Sequence, residues 1–283
     1  MIAITGASGH LGHLVIKSLL AKTDASNILA LVRSPEKAQD LRELGVVVRA
    51  ADYDQPESYV EALKGVDKLL LISGSAVGQR VAQHKAVIDA AKANGVALLA
   101  YTSILKADSS PILLAAEHKE TEALIKASGV PFTLLRNGWY SENYTENLAH
   151  VLAHGAVIGH AGEGRVATAS RADFADAAAV VLTSAESHAG KIYELTGDAD
   201  FSMADYAAVV AELSAKEIAY VDMPFEDYKN ALIGAGVPEG FATVLADADA
   251  AIKGSWLSKN GSTLSDLIGR PTTPIKESIK AAL

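Results

Sequence analysis

The sequence predicts an α/β protein: a doubly wound parallel sheet followed by a smaller C-terminal α/β lobe. Three observations carry this. Short β-rich runs that are apolar on both faces alternate with amphipathic stretches, as expected of a parallel sheet covered by helices on both sides. A glycine-rich turn, "ITGASGHLG", joins the first such run to the first amphipathic stretch. After about residue 150 the alternation thins, so the domains are expected at 1–150 and 151–283, with part of the second returning to the first.

Taken in order, the predicted strands are "IAIT", "ILALVR", "VVVRAAD", "LLLIS", "LLAYTS" and "FTLLRN". The first helix is read over 11–21, where Leu11, Leu14, Val15, Ser18 and Leu19 recur at i, i+3, i+4, i+7 and i+8. A further helix is expected at 141–153, "KIYELTG" as a short strand of the smaller lobe, and a helix from Ser202 onward. In "ATASRADFADAA", Ser170 or Asp173 is read as a helix N-cap and Arg171 as mainly structural.

Composition narrows the function. A chain of 283 residues can bury a large core, and 49% hydrophobic with 21% charged residues is an ordinary globular balance. The net charge of −9, without a basic cluster, argues against nucleic acid, because the counterion-release contribution is missing. Zero cysteines exclude disulfides, thiolate catalysis and Cys-ligated metals, and fit a reducing cytoplasm. A strand beginning at Ile2 leaves no room for an export signal, and no apolar run is long enough for a membrane span. A soluble, cytoplasmic protein is expected. His10 with His13 and His150 with His154 have helical spacing, but no carboxylate in the sequence completes a metal site, so none is expected.

Gly6, Gly9 and Gly12 sit where a strand turns into a helix, and glycine lets the backbone approach a pyrophosphate at the helix N-terminus. The expected contacts there are Gly6, Ala7, Ser8, Gly9, His10 and Leu11. The second strand ends at Arg33 with no acid beside it, which favours the 2′-phosphate of NADPH over the bare ribose of NAD. Asp52 is read two ways, as an acceptor for the adenine amino group or as a cap of its own turn. Ser73, Gly74 and Ser75 leave the fourth strand at its C-terminal end, where open α/β sheets bind ligands.

"MIAITGASGHLG", "LVRSPEKA", "LLLISGSAVGQR", "AYTSIL", "EHKETEALIKASGVPFTLLRNGWYSENY" and "LSDLIGRPTT" together resemble the NmrA-like group of atypical short-chain dehydrogenases. The resemblance is strongest to the branch of NADPH-dependent quinone oxidoreductases of the type-2 kind and triphenylmethane dye reductases, and it runs nearly end to end. It implies a Rossmann domain with a small substrate lobe, NADPH as cofactor, a quinone or similar conjugated electrophile as small-molecule acceptor, and a homodimer as one possible assembly. A second implication is a redox sensor, since some NmrA-like proteins bind dinucleotides without turnover.

The chain departs from the wider superfamily in its Tyr-x-x-x-Lys motif. In "LLAAEHKETE" Leu114 falls at the tyrosine position and His118 at the lysine position, while Lys119 points about 100° around the helix. His118 is read as a ribose contact or a proton relay titrating near neutrality, or else as a structural histidine. In "RNGWYSENY", Asn137, Gly138, Trp139, Tyr140, Ser141 and Glu142 are expected along the cofactor, with Gly138 admitting the nicotinamide; the other reading is a capped loop whose aromatics pack, and packing is the favoured reading for Trp139. Asn143 and Tyr144 are expected to bond the acceptor oxygen, or to pack the lobe.

Overall fold

The computed structural model describes residues 1–259 and 261–283. β1 (Ile2–Ile4), β2 (Ile28–Val32), β3 (Val47–Ala50), β4 (Lys68–Leu71), β5 (Leu98–Ile104) and β6 (Phe132–Asn137) fall on the six predicted strands. They pair in parallel, with Ile4 of β1 between Ala30 and Leu70. Every residue of β2 and of β5 is buried, which is why these segments read as unbroken apolar runs. The core they share with the helices includes Leu29, Leu31, Leu69, Leu71, Val87, Leu99 and Tyr101.

α1 (His10–Leu20), α2 (Gln39–Glu43), α3 (Glu57–Ala62), α4 (Arg80–Ala93) and α5 (Leu113–Ser128) connect or follow these strands. In the sheet the order is Ile192–Leu195, β6, β5, β4, β1, β2, β3. The chain therefore winds outward from β1 to β3, returns, and winds the other way from β4. Between β1 and β4 the direction of winding reverses, and ligands of open α/β sheets bind at the carboxyl ends of the strands at such a point.

Two expectations need correction. "KIYELTG" does not form a strand of a separate smaller sheet: Ile192–Leu195 forms the edge of the main sheet. Gly190 N–H donates to Phe132 O at 2.7 Å and Leu134 N–H to Lys191 O at 3.0 Å, so the segment completes β6, whose outer edge would otherwise be unpaired. The helix expected at 141–153 is two short ones, Glu142–Thr145 and Leu148–His154. They break at Thr145-Glu146-Asn147, where Asn147 leaves helical geometry (φ −98°, ψ 5°) and stands at the N-cap position of the second helix without a side-chain cap bond.

The chain divides into two compact units. The first comprises residues 1–107, 116–137 and 171–194, and the second residues 108–115, 138–170 and 195–283, so the chain crosses between them several times. In the second unit the helix Met203–Ser214 starts at Ser202 with a reciprocal cap: Ser202 Oγ accepts from Asp205 N–H, and the Asp205 carboxylate accepts from Ser202 N–H. Among the described residues no helix is long and apolar enough to cross a membrane.

Candidate functional site

The site grows from the rim of the sheet in the first unit. After β1 the chain turns through Gly6, at φ +60°, and Gly9 N–H closes the turn on Gly6 O at 2.9 Å. α1 then begins with Gly9 as its N-cap, with no side-chain cap and no acid in its first turn. Its leading N–H groups and positive dipole end are thereby left for an outside anion. Gly12 has to be glycine, because a Cβ there would lie 2.3 Å from Gly6 O and 2.8 Å from Ala7 Cα.

Gly6, Ser8, Gly9 and His10 are exposed, whereas Leu11 is buried. Ala7 is fully enclosed, and its expected place among the phosphate contacts is withdrawn: its methyl packs inward so that the turn can close. Arg33, just past β2, is exposed and makes no hydrogen bond or ion pair with any other described residue. His13 Nε2 meets Asp40 Oδ2 at 2.5 Å, a carboxylate partner that spacing along the helix could not reveal. Asp52 holds its own turn, since its carboxylate accepts from Asp54 N–H at 3.1 Å. The turn reading is the one with a partner in the structure.

The exit from β4 is built differently. Ile72 N–H donates to Thr5 Oγ1 at 3.0 Å, Ser73 N–H to Thr102 Oγ1 at 2.8 Å and Gly74 N–H to His84 Nε2 at 3.0 Å. Arg80 Nε–H donates to Gly74 O, and Gly78 N–H to Glu117 Oε1 at 2.9 Å. Behind this loop, Tyr101 of β5 bonds His118 Nδ1 at 2.7 Å, and its ring lies edge-on to His84 with centroids 5.4 Å apart.

His118 is buried rather than poised for proton transfer. Burial, reinforced by the positive charge of Arg80, pulls its imidazole down to about 3, so the expectation of titration near neutrality is wrong. The protein keeps this ring neutral at physiological pH.

A second network fixes the ends of β5 and β6. Arg136 grips both oxygens of Glu122, at 2.9 and 2.7 Å, and reaches Glu194 at 2.8 Å, while Ser103 Oγ–H donates to Glu122 at 2.7 Å. Burial opposes ionisation of Glu122, yet the Arg136 and Ser103 bonds outweigh it and hold the carboxyl below the usual range. At the end of β6, Asn137 is 5% exposed and its Oδ1 is buried with no hydrogen-bond partner. A buried acceptor without a partner is costly, which marks it as an atom kept for a ligand.

The residues after Asn137 belong to the second unit and separate on inspection. Trp139 and Tyr140 are half-buried and form a two-residue strand paired with Thr168 and Ala169. A Cβ on Gly138 would lie 3.0 Å from Leu195 O and 3.3 Å from Thr196 Cγ2, so glycine's small size is used by its protein neighbours. Ser141, also expected along the cofactor, is fully buried and donates to Thr168 Oγ1 at 3.0 Å, which makes it a structural residue. Glu142 is half-buried and Asn143 exposed.

Tyr144 packs its ring within the second unit. Its ring sits against Tyr206 (centroids 5.3 Å) and Phe201 (5.8 Å), its hydroxyl is buried without a partner, and burial holds the phenol protonated.

His84, Arg80, Tyr101 and Thr102 were missed in the sequence. One signal was available: in α4 His84 stands at i with Val87, Ile88 and Ala91 at i+3, i+4 and i+7, a polar residue on the apolar stripe. Among the described residues no group of three or more His, Cys, Asp or Glu could hold a metal. A dinucleotide fits what is present: an open glycine turn and an unpaired cation beyond β2 suit its phosphates, and an orphaned buried acceptor at the end of β6 suits one of its N–H or O–H donors.

Comparison with known proteins agrees. The NAD(P)H-binding family matches residues 6–185. The chain is similar to Quinone oxidoreductase 2 of Escherichia coli (strain K12), at 51% identity over 279 residues that cover 99% of this chain and 97% of the relative. It is also similar to the NAD(P)H azoreductase of Xenophilus azovorans, at 29% identity over 282 residues, covering 99% and 97%. Among solved structures it resembles an Escherichia coli NADPH-dependent quinone oxidoreductase complexed with NADPH, with a TM-score of 0.97, 50% identity and 99% of each chain covered. The Citrobacter sp. triphenylmethane reductase complexed with NADP(H) gives a TM-score of 0.96 at 42% identity, with 100% of each chain covered.

Proposed function

The chain belongs to the NAD(P)H-binding family, among the NmrA-like atypical short-chain dehydrogenases, and from that premise we propose that it is an NADPH-dependent reductase acting on a quinone or a similar conjugated electrophile, such as a triphenylmethane dye. The observation that carries the reading is the 51% identity to a quinone oxidoreductase over 99% of this chain, which favours an enzyme over a regulator.

Bound NADPH supplies a hydride. The chain's own residues bind and orient it. The backbone N–H groups at the start of α1 would hold the pyrophosphate, Arg33 would make charge-assisted bonds to the 2′-phosphate, and Asn137 Oδ1 would accept from a cofactor N–H. Ser73 and Ser75 line the exit from β4, and Trp139 and Tyr140 offer flat surfaces for the ring system. Asn143, exposed on its short helix, is the residue proposed to bond the acceptor.

The proton chemistry follows from what the site lacks. Leu114 stands where a ketone reductase places its tyrosine, and His118 is held neutral. A ketone would need an acid at its oxygen. A quinone does not, because hydride addition makes an aromatic hydroquinone anion that takes its proton from water. Positioning the two reactants then supplies most of the rate. A cytoplasmic setting suits a cysteine-free, NADPH-consuming chain, and light scattering would decide whether it works as a homodimer.

The test is NADPH oxidation by the purified protein across a panel of small quinones and one triphenylmethane dye, with NADH as control. Turnover strongly favouring NADPH is expected. Tight NADPH binding with no oxidation by any acceptor would overturn the reductase reading in favour of a sensor.

A further inference from the structure

Three consecutive backbone N–H groups leave β4, and each is taken by a side chain from a different element: Thr5 after β1, Thr102 in β5 and His84 in α4. At Gly74 the peptide oxygen is held as well, by Arg80, which also lies 3.6 Å from Glu117, the acceptor of Gly78 N–H. A short exit loop with both polar groups of one glycine fixed by buried side chains is more constrained than a turn needs to be. It also adjoins the glycine turn: Thr5 immediately precedes Gly6, and a Cβ on Gly6 would come to 3.7 Å from Ile72 Cβ. These two loops flank the point where the sheet reverses its winding.

His84 suits its place because it must do two opposite things. It is fully buried. Its Nε2 accepts from Gly74 N–H, so in the neutral ring the proton sits on Nδ1, which donates to Thr121 Oγ1 at 3.0 Å. Burial and the neighbouring Arg80 charge keep the ring neutral, with its titration pulled down to about 4. A protonated imidazole would have no lone pair for Gly74. The site thus uses one tautomer of one ring to hold a loop peptide in one orientation.

We propose that His84, assisted by Arg80, is a positioning residue for NADPH: it fixes the peptide of Gly74 so that the β4 exit loop is already in its cofactor-binding conformation before the cofactor arrives. The inference rests on the NADPH reading above. Its energetic content is the ordering cost that a loose loop would pay on binding.

Two substitutions split the ring's functions. His84→Gln keeps an acceptor at the Nε2 position and loses the bond to Thr121, whereas His84→Asn keeps a donor near the Nδ1 position and loses Gly74. Each variant removes one neutral hydrogen bond, so their melting temperatures should fall by similar amounts. NADPH dissociation constants, read by fluorescence titration without any acceptor, should separate: near the wild-type value for His84→Gln, and weaker by about 5- to 10-fold for His84→Asn, the size of one lost hydrogen bond. Equal affinities for the two variants, whether both unchanged or both weakened, would overturn the positioning role. Failure of the wild-type protein itself to bind NADPH would instead overturn the proposed function.

Discussion

The glycine turn after β1 and the loop after β4 flank the same reversal in the sheet, and they are built in opposite ways. The turn is mostly backbone: Gly9 caps α1 with no side-chain cap bond, Gly12 is excluded from having a Cβ, His13 Nδ1 approaches Gly9 O at 3.2 Å, and Arg33 beyond β2 has no partner among the described residues. The loop is held almost entirely by side chains, from Thr5, Thr102, His84, Arg80 and Glu117. An anion-binding turn needs free N–H groups and clearance, so polar partners would compete with its ligand. A loop that must present itself in one shape needs its N–H groups already occupied. The contrast predicts that lesions in the open turn will show mainly in cofactor affinity, whereas lesions in the side chains that hold the loop will lower stability as well as affinity, and lesions in the Arg136 network stability above all.

The largest effect is expected at Arg136. Arg136→Met leaves Glu122 and Glu194 without their shared cation in a buried setting, which should cost about 3–5 kcal/mol in urea unfolding. A loss under 1 kcal/mol would mean the network is not holding the ends of β5 and β6.

Gly12→Ala comes next. Its Cβ would press on the backbone of Gly6 and Ala7, and overpacking of this kind reaches about 3 kcal/mol. NADPH affinity should fall by on the order of 100-fold, more steeply than the melting temperature suggests, because the distorted atoms are the turn itself. Undiminished affinity would show that the turn is not the binding element.

Arg33→Ala should cost about 1.5–3 kcal/mol of NADPH binding, roughly 10- to 150-fold, with little change for NADH and none in melting temperature. Equal losses for the two cofactors would remove Arg33 from its role and blunt the comparison.

The most diffuse effect, spread over two rings and smallest near neutral pH, is on pH dependence. The native rings of His84 and His118 titrate at about 4 and about 3, below the unfolded value near 6.5. The unfolded chain therefore binds more protons between pH 6.5 and 4, and stability is lost as pH falls through that window. Each ring should contribute roughly 2 kcal/mol of destabilisation by pH 5. His118→Gln should flatten the slope of melting temperature against pH in that range. The same burial predicts that turnover at saturating NADPH shows no inflection near pH 6.5 that this substitution removes, and finding one would restore His118 as a proton donor.

Much of the site was legible in the sequence, and the pattern of misses is physical. The six strands were readable because residues buried on both faces must be apolar, and the turn was readable because only glycine tolerates its clearance. The helix from Ser202 was visible for a similarly local reason, the Ser202–Asp205 cap. The break at Thr145-Glu146-Asn147 was missed because helical periodicity does not register a cap in mid-run. The strand at Ile192–Leu195 was misplaced because its partner, β6, is more than fifty residues away.

Local chemistry, then, was determined by the sequence alone: an α/β chain, a glycine turn open to a dinucleotide, a cation at the end of β2 and no tyrosine at the acid position. The tertiary structure decided which polar side chains are spoken for. It enclosed Ser141, packed the Tyr144 ring against Tyr206 and Phe201, neutralised His118, left Asn137 Oδ1 without a partner and gave His84 to Gly74. The reason is that a hydrogen bond or a shifted titration depends on which groups meet and how much water they lose, and both are set by contacts between residues far apart in the chain.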